Sequence, residues 1–386
     1  MVRRTLAPAV LVVVLLASVA AAAGPTFYGY IKLDASLDSA RTDKGDYAFI
    51  VLPYAEGEED DEFNMTANQT RLGMKFEAPE GEKINVSGRV EFDFYGGGAE
   101  NKSNPMMRQA YLEIKFPAVE VLAGQTADLM SPLNPTTLNY IVLWKSGNIG
   151  YRRPQIRFTK AVDVAEGTKL TAAVSANRNM GREEDGEDMG QPSFQGRLAF
   201  ASKLMGDQTA VVGVSGEYGK ELDADENEFQ STCVAVDATV PLGKKITLMG
   251  EYFTGKDLAV YLGGVGQGIA VEPAPPAKTR DLEETEIEAS GWWGQLTVQP
   301  NASIALNVGA GSDDPVLPDW AAADLIEKNT TYYGNVIWNV TPSSYIGAEY
   351  AMMKTEYLVA IQQEPPTKQT REYENNRVQL SFGYKF

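Results

Sequence analysis

The chain has 386 residues with 34 Lys and Arg against 52 Asp and Glu, a formal charge of −18, one cysteine and no histidine. The acid excess argues against nucleic acid as a partner, because that interaction needs a basic surface. The lone Cys233 permits no internal disulfide, and the missing histidine removes the Ser-His-Asp triad, imidazole acid–base chemistry and most zinc or iron sites. No enzymatic activity, cofactor or metal centre is therefore expected.

Arg3 and Arg4 precede an apolar run from Val10 to Leu16, and small residues continue to Ala23. This order reads as a secretory signal over residues 1–23. The apolar stretch is too short for a membrane-spanning helix, which needs about 20 residues. Cleavage after Ala22 or Ala23 leaves residues 24–386 as a single domain, with 32 basic residues against 52 acidic, or −20. No later apolar run is long enough to span as a helix. A β-barrel remains compatible with the mean hydropathy of −0.25, since its strands are apolar only at alternate positions.

Period-two alternation and turn residues divide the rest into sixteen strands. They fall near 26–37, 70–78, 83–95, 105–116, 119–126, 155–162, 169–177, 193–204, 209–220, 231–241, 245–257, 287–298, 303–312, 330–341, 343–356 and 376–386. The connections alternate short and long: Pro79–Glu82, Pro117–Ala118 and Leu242–Lys244 are short, whereas 38–69, 127–154 and 258–286 are long. An up-and-down transmembrane barrel with short periplasmic turns and long outer loops gives this rhythm. In the last segment Arg377, Gln379, Ser381, Gly383 and Lys385 share one parity, and Val378, Leu380, Phe382, Tyr384 and Phe386 the other. Charges on many such polar faces require a hydrated lumen, so the fold class is an all-β antiparallel transmembrane barrel. Aromatic residues at strand ends, Tyr28, Trp292 and Tyr332 among them, suit either a membrane girdle or ordinary strand preference.

The third long loop, Ala127–Pro154, carries Leu129, Met130, Leu133, Tyr140, Ile141, Leu143 and Trp144, too many apolar residues for a loop in water. Long ordered loops are usually functional. This one is expected to fold inward and narrow the lumen; capping the barrel or packing at an oligomer interface is the alternative.

The stretch GQTADLMSPLNPTTLNYIVLWKSGNIGYRRPQIRF, with FYGYIKLDASLDSA near the mature start and the closing LSFGYKF, resembles the DcaP-like porins. The similarity runs over most of the mature chain, strongest in residues 26–37 and 124–160. The terminal Phe386 on an alternating strand also resembles the assembly signal of Gram-negative outer-membrane porins. The resemblance implies a trimeric sixteen-strand barrel in the bacterial outer membrane, surrounded by lipid and lipopolysaccharide. It also implies passive diffusion of small hydrophilic solutes, anions such as dicarboxylates among them. A structural or adhesive barrel with a plugged lumen is the alternative.

Charge placement bears on selectivity. Lys32, Arg71, Arg89 and Arg197 lie on expected lumen parities, Arg152 and Arg153 close the third loop, and Arg157 follows on the sixth strand. Rings of Arg and Lys favour anions. Asp128 is the candidate for an opposing acidic side, with Glu91, Asp93, Glu113, Asp237 and Glu251 as further balancing acids. Arg108 falls on the apolar parity unless a bulge intervenes. Acidic runs such as Glu56–Glu62 and Glu183–Asp188 are expected at solvated outer loop tips. They lack EF-hand spacing, so cation bridging to lipopolysaccharide is the lesser reading.

Overall fold

Alternating apolar and polar residues favour long strands that bury one face and expose the other, and the chain forms them throughout. A computed structural model describes residues 24–78, 83–99, 102–180, 190–222, 227–272, 284–361 and 367–386. The expected signal, the turn at 79–82, the acidic run at 183–188 and residues 273–283 lie outside the described residues.

The first strands are β1 (Thr26–Asp38), β2 in two pieces (Glu62–Thr66 and Arg71–Glu77), β3 (Asn85–Asp93), β4 (Met106–Lys115) and β5 (Glu120–Ala127). Next come β6 (Arg152–Ala165), β7 (Thr168–Asn177), β8 (Ser193–Met205), β9 (Gln208–Leu222) and β10 (Glu228–Gly243). The last six are β11 (Ile246–Lys256), β12 (Glu288–Asn301), β13 (Ile304–Val316), β14 (Ile326–Thr341), β15 (Ser344–Ile361) and β16 (Thr367–Lys385). Each pairs antiparallel with its sequence neighbours. The sheet closes where β1 meets β16, from Tyr30 opposite Lys385 to Asp38 opposite Arg377. Phe386 completes the seam through two bonds with Gly29, both 3.1 Å. Closure leaves no open sheet edge, which a hydrocarbon environment forbids.

The side chains are arranged the opposite way from a soluble protein. On β16, Arg377, Gln379 and Ser381 are 1, 3 and 0% exposed, whereas Leu380, Phe382 and Tyr384 are 45, 47 and 52% exposed. Polar residues point into the bore and apolar ones into lipid, the pattern of an outer-membrane barrel.

Three departures from the expected strands have local causes. β2 is broken at residues 67–70, so its outer piece, Glu62–Thr66, pairs with Asp34–Asp38 of β1 beyond the break. β16 starts at Thr367, nine residues before the expected 376, because Thr367–Asn375 is polar apart from the inward Tyr373 and shows no lipid-facing parity. β6 starts at Arg152, so Arg152 and Arg153 belong to the wall rather than to the loop.

Three outer loops turn into the bore. The base of the third loop is tied by Asp128 N–H to Tyr151 O (3.0 Å) and Tyr151 N–H to the Asp128 carboxylate (2.8 Å). Beyond that base the loop crosses to the far wall. Glu251 of β11 accepts from Leu133 N–H and Ser131 O–H, both 2.7 Å. Gln295 of β12 accepts from Thr136 N–H, and Glu349 of β15 accepts from Leu138 N–H (2.7 Å) and Asn139 N–H (3.1 Å). Lys32 of β1 and Gln379 of β16 donate to Leu138 O, both 2.9 Å. Ser131, Val142, Leu143 and Lys145 have φ between 46° and 62°. Such left-handed geometry costs a non-glycine residue about 1–2 kcal/mol, so the wall bonds must hold it.

The sixth loop follows β11 and enters through two 3-10 turns, Ala259–Tyr261 and Gly264–Gly266. Asp313 of β13 accepts from Gly264 N–H and Val265 N–H, both 3.1 Å. The first loop packs Ala40, Ala48 and Val51 against Met353, Tyr357 and Tyr373 of the wall.

Candidate pore constriction

The open space lies between the third loop and the wall formed by β1–β6. A cavity of about 310 Å3 is lined by Tyr30, Arg71, Glu91, Arg108, Asp128, Tyr140, Trp144, Tyr151 and Arg152. Its wall side carries Arg71, Arg108 and Arg152 with Glu91, and its loop side mixes Tyr140, Trp144 and Tyr151 with aliphatic and small polar residues.

Arg108 reaches this cavity through a bulge. Glu91 pairs with Gln109 and Phe92 with Met107, which leaves Arg108 as the extra residue and turns it inward. The apolar parity read from the sequence is therefore corrected. Arg108 lies 3.3 Å from Asp93, donates to the Tyr140 hydroxyl and stacks 5.1 Å from that ring. Burial raises the pKa of Tyr140 above the usual phenol value, so it stays protonated at neutral pH. Burial also lowers the pKa of Lys145 on the same loop, its ammonium lying 4.9 Å from the Phe49 ring.

The singled-out cations fall into two groups. Lys32 is 3.1 Å from Asp34, Arg71 is 3.4 Å from Glu91 and 3.3 Å from Asp93, and Arg153 is 2.8 Å from Asp128. Arg197 is 2.6 Å from Asp237. Lys32 and Arg153 are 3 and 1% exposed, so they fix the loop and the wall and offer no free charge to the bore. Asp128 lines the cavity, but Arg153 holds its carboxylate.

Arg89, Arg152 and Arg157 have no carboxylate partner among the described residues. Arg89 donates to Gln109 (3.3 Å), and Arg157 donates to Gln155 (3.0 Å) and to Ala127 O (2.5 Å). Arg152 lies over the rings of Tyr151 (4.3 Å) and Trp144 (5.7 Å). One of its terminal nitrogens is buried without a hydrogen-bond partner among the described residues. The sequence placed these arginines near the bore but could not sort them, because ion pairing depends on cross-strand register. It also gave no role to Tyr140 or Tyr151, whose rings meet the arginines only after the loop folds back.

The sequence profile of the Gram-negative porins matches residues 9–386. The chain belongs to that family. The porin therefore resides in the bacterial outer membrane, where its barrel is a channel for passive diffusion. Among solved structures it is similar to the outer-membrane channel DcaP of Acinetobacter baumannii, with a TM-score of 0.71, 19% identity, and coverage of 94% of this chain and 97% of that one. An anion-selective porin from Comamonas acidovorans gives a TM-score of 0.58 at 11% identity, covering 94 and 99% of the two chains. The trimer form of OmpT from Vibrio cholerae gives 0.56 at 11% identity, covering 94 and 99%. No curated protein sequence matches.

Proposed function

We propose that this porin passes small anions, carboxylates among them, along the β1–β6 side of its bore, and that Arg89, Arg152 and Arg157 set the preference. The observation that carries this reading is the set of three guanidiniums without carboxylate partners among the described residues, beside a constriction where Arg71, Arg108 and Arg153 are each paired with a carboxylate. A guanidinium stays protonated at any working pH, so its field is constant, and it can bind a carboxylate through two N–H groups. The anion-selective Comamonas porin among the structural neighbours supports the same sign. A homotrimer is the proposed assembly, in keeping with the trimer form of the Vibrio neighbour.

The test is the reversal potential in a KCl gradient across a planar bilayer. A unit charge about 8 Å from the ion path, at an effective dielectric near 40, contributes about 1 kcal/mol, which favours an anion roughly fivefold and disfavours a cation roughly fivefold. Arg89→Gln, Arg152→Gln and Arg157→Gln together should carry the potential from the anion side to zero or beyond. Replacing the compensated pair, Arg197→Leu with Asp237→Leu, should leave it in place. A cation-selective wild type would overturn the reading, and a bore plugged by its loops would show no ohmic conductance.

A further inference from the structure

A second cavity, of about 290 Å3, sits on the outer side of the constriction and differs from it in chemistry. Its walls include Tyr47, Phe49, Tyr95 and Met106, and it shares Tyr140, Trp144 and Tyr151 with the arginine-lined space. The rings meet edge to face: Tyr47 with Phe49 at 5.3 Å and with Tyr95 at 5.2 Å. Trp144 meets Tyr151 at 5.8 Å. Water-filled passage of hydrophilic ions requires no such vestibule. Where the two cavities join stands Arg152, stacked on Tyr151 and Trp144. The buried, unpartnered nitrogen of Arg152 is a donor left available, and the buried Tyr95 hydroxyl in the vestibule likewise lacks a partner among the described residues.

We propose that the vestibule and Arg152 form a binding site for aromatic monocarboxylates of the benzoate class. The ring would lie among the aromatic side chains, and the carboxylate would accept from Arg152. Charge count favours a single carboxylate. Arg71 and Arg108 at the same junction are matched by Glu91 and Asp93, which leaves Arg152, among the described residues, as the uncompensated guanidinium of the cavity. Recognition follows from ring geometry as well as apolar area, since edge-to-face pairs contribute beyond burial. The proposal rests on the anion-passing reading above and adds a solute class to it.

The test is block of the chloride current of the full-length channel by benzoate or by cyclohexanecarboxylate. The two acids match in size and charge, but only benzoate is aromatic. Benzoate is expected to interrupt the current at about a fivefold lower concentration, the size of one good aromatic contact. Trp144→Ala and Tyr47→Leu should each bring the two acids within about twofold, and Arg152→Gln should weaken block by both. Tyr47 lies on the first loop, so its variant leaves the third-loop chain unaltered. Equal block by the two acids, absence of block by either, or a benzoate advantage that survives both ring variants overturns the proposal. If the wild type prefers cations in a salt gradient, the anion reading has failed as well; if it prefers anions and blocks equally, only the aromatic site is lost.

Discussion

The two halves of the bore differ in what their walls can accept. Along β11–β15 Glu251, Gln295, Asp313 and Glu349 accept from loop N–H groups, while the Asn329 and Asn335 amides donate to loop carbonyls. Carboxylate and amide oxygens accept hydrogen bonds, and a loop entering the barrel brings backbone N–H groups that have lost water and must be paired. Along β2–β6 the wall presents Arg71, Arg89, Arg108, Arg153 and Arg157, which have donors only, and its carboxylates Glu91 and Asp93 are already engaged by Arg71 and Arg108. Such a wall can bind a loop carbonyl, as Arg157 does with Ala127 O, but it cannot satisfy a run of N–H groups. The third loop therefore lies on the acceptor wall and leaves the open cavity beside the donor wall. The same distribution of residue types decides which half is filled and which sign of charge the open half presents.

Removing the acceptors breaks this division most severely. Glu349→Ala would strand the N–H groups of Leu138 and Asn139, and Glu251→Ala would strand Leu133 N–H, the Ser131 hydroxyl and the Trp293 indole N–H. Hydrogen bonds to a charged group contribute about 1.5–3 kcal/mol each, so the double variant should lose several kcal/mol of stability. Thermal unfolding in detergent would show a lower midpoint. Single-channel recording would show a larger, noisier conductance as the loop leaves the wall. An unchanged conductance would mean that the loop is held by its apolar residues rather than by the carboxylates.

A steric change tests the same contact from the wall side with less disruption. Gly311 on β13 faces the loop, and a Cβ placed there would lie 2.2 Å from Ser146 O. Gly147 on the loop has φ +98°, and a Cβ there would lie 2.0 Å from Trp292 O. Two glycines thus let loop and wall backbones approach closely where side chains would separate them. Gly311→Val should force the loop away at an overpacking cost of about 1–3 kcal/mol. The conductance should change while the anion preference keeps its sign, because the free guanidiniums stand on the opposite wall.

This division was partly legible in the sequence. The sixteen strands were readable because every membrane-facing residue must be apolar, a constraint repeated along the chain. β16 shows where that constraint ends: beyond Asn375 toward the outside the wall faces water, parity carries no information, and the strand start was missed. Arg108 shows a second limit, since one bulged residue inverts the parity of a strand without leaving a mark in composition. The arginines were visible as residues but not as charges. Whether Arg71 or Arg89 offers a free positive field depends on Glu91 and Asp93 across the sheet, and so on register. The aromatic face was hidden for a further reason, because Tyr140, Trp144 and Tyr151 reach the arginines only through the return path of the loop.

Salt gives the mildest test, and it separates the two halves without mutation. Charges acting through the water of the bore are screened over about 10 Å at 0.1 M salt and about 3 Å at 1 M. The field of Arg89, Arg152 and Arg157 reaches a passing ion through that water, so the anion-to-cation permeability ratio should decline as salt rises, each arginine losing about 0.4 kcal/mol of its effect on an ion at about 8 Å. Arg153 and Asp128 hold the loop base through a contact of 2.8 Å with both side chains 1% exposed, and mobile ions do not enter such a contact. Loop position should therefore be insensitive to salt, and conductance divided by bulk conductivity should fall only as far as counterion enrichment near the arginines is lost. A selectivity that persists undiminished at 1 M would place the discriminating charges within direct contact of the ion. An abrupt conductance step with salt would show that surface charge, rather than the buried acceptors of the far wall, holds the loop.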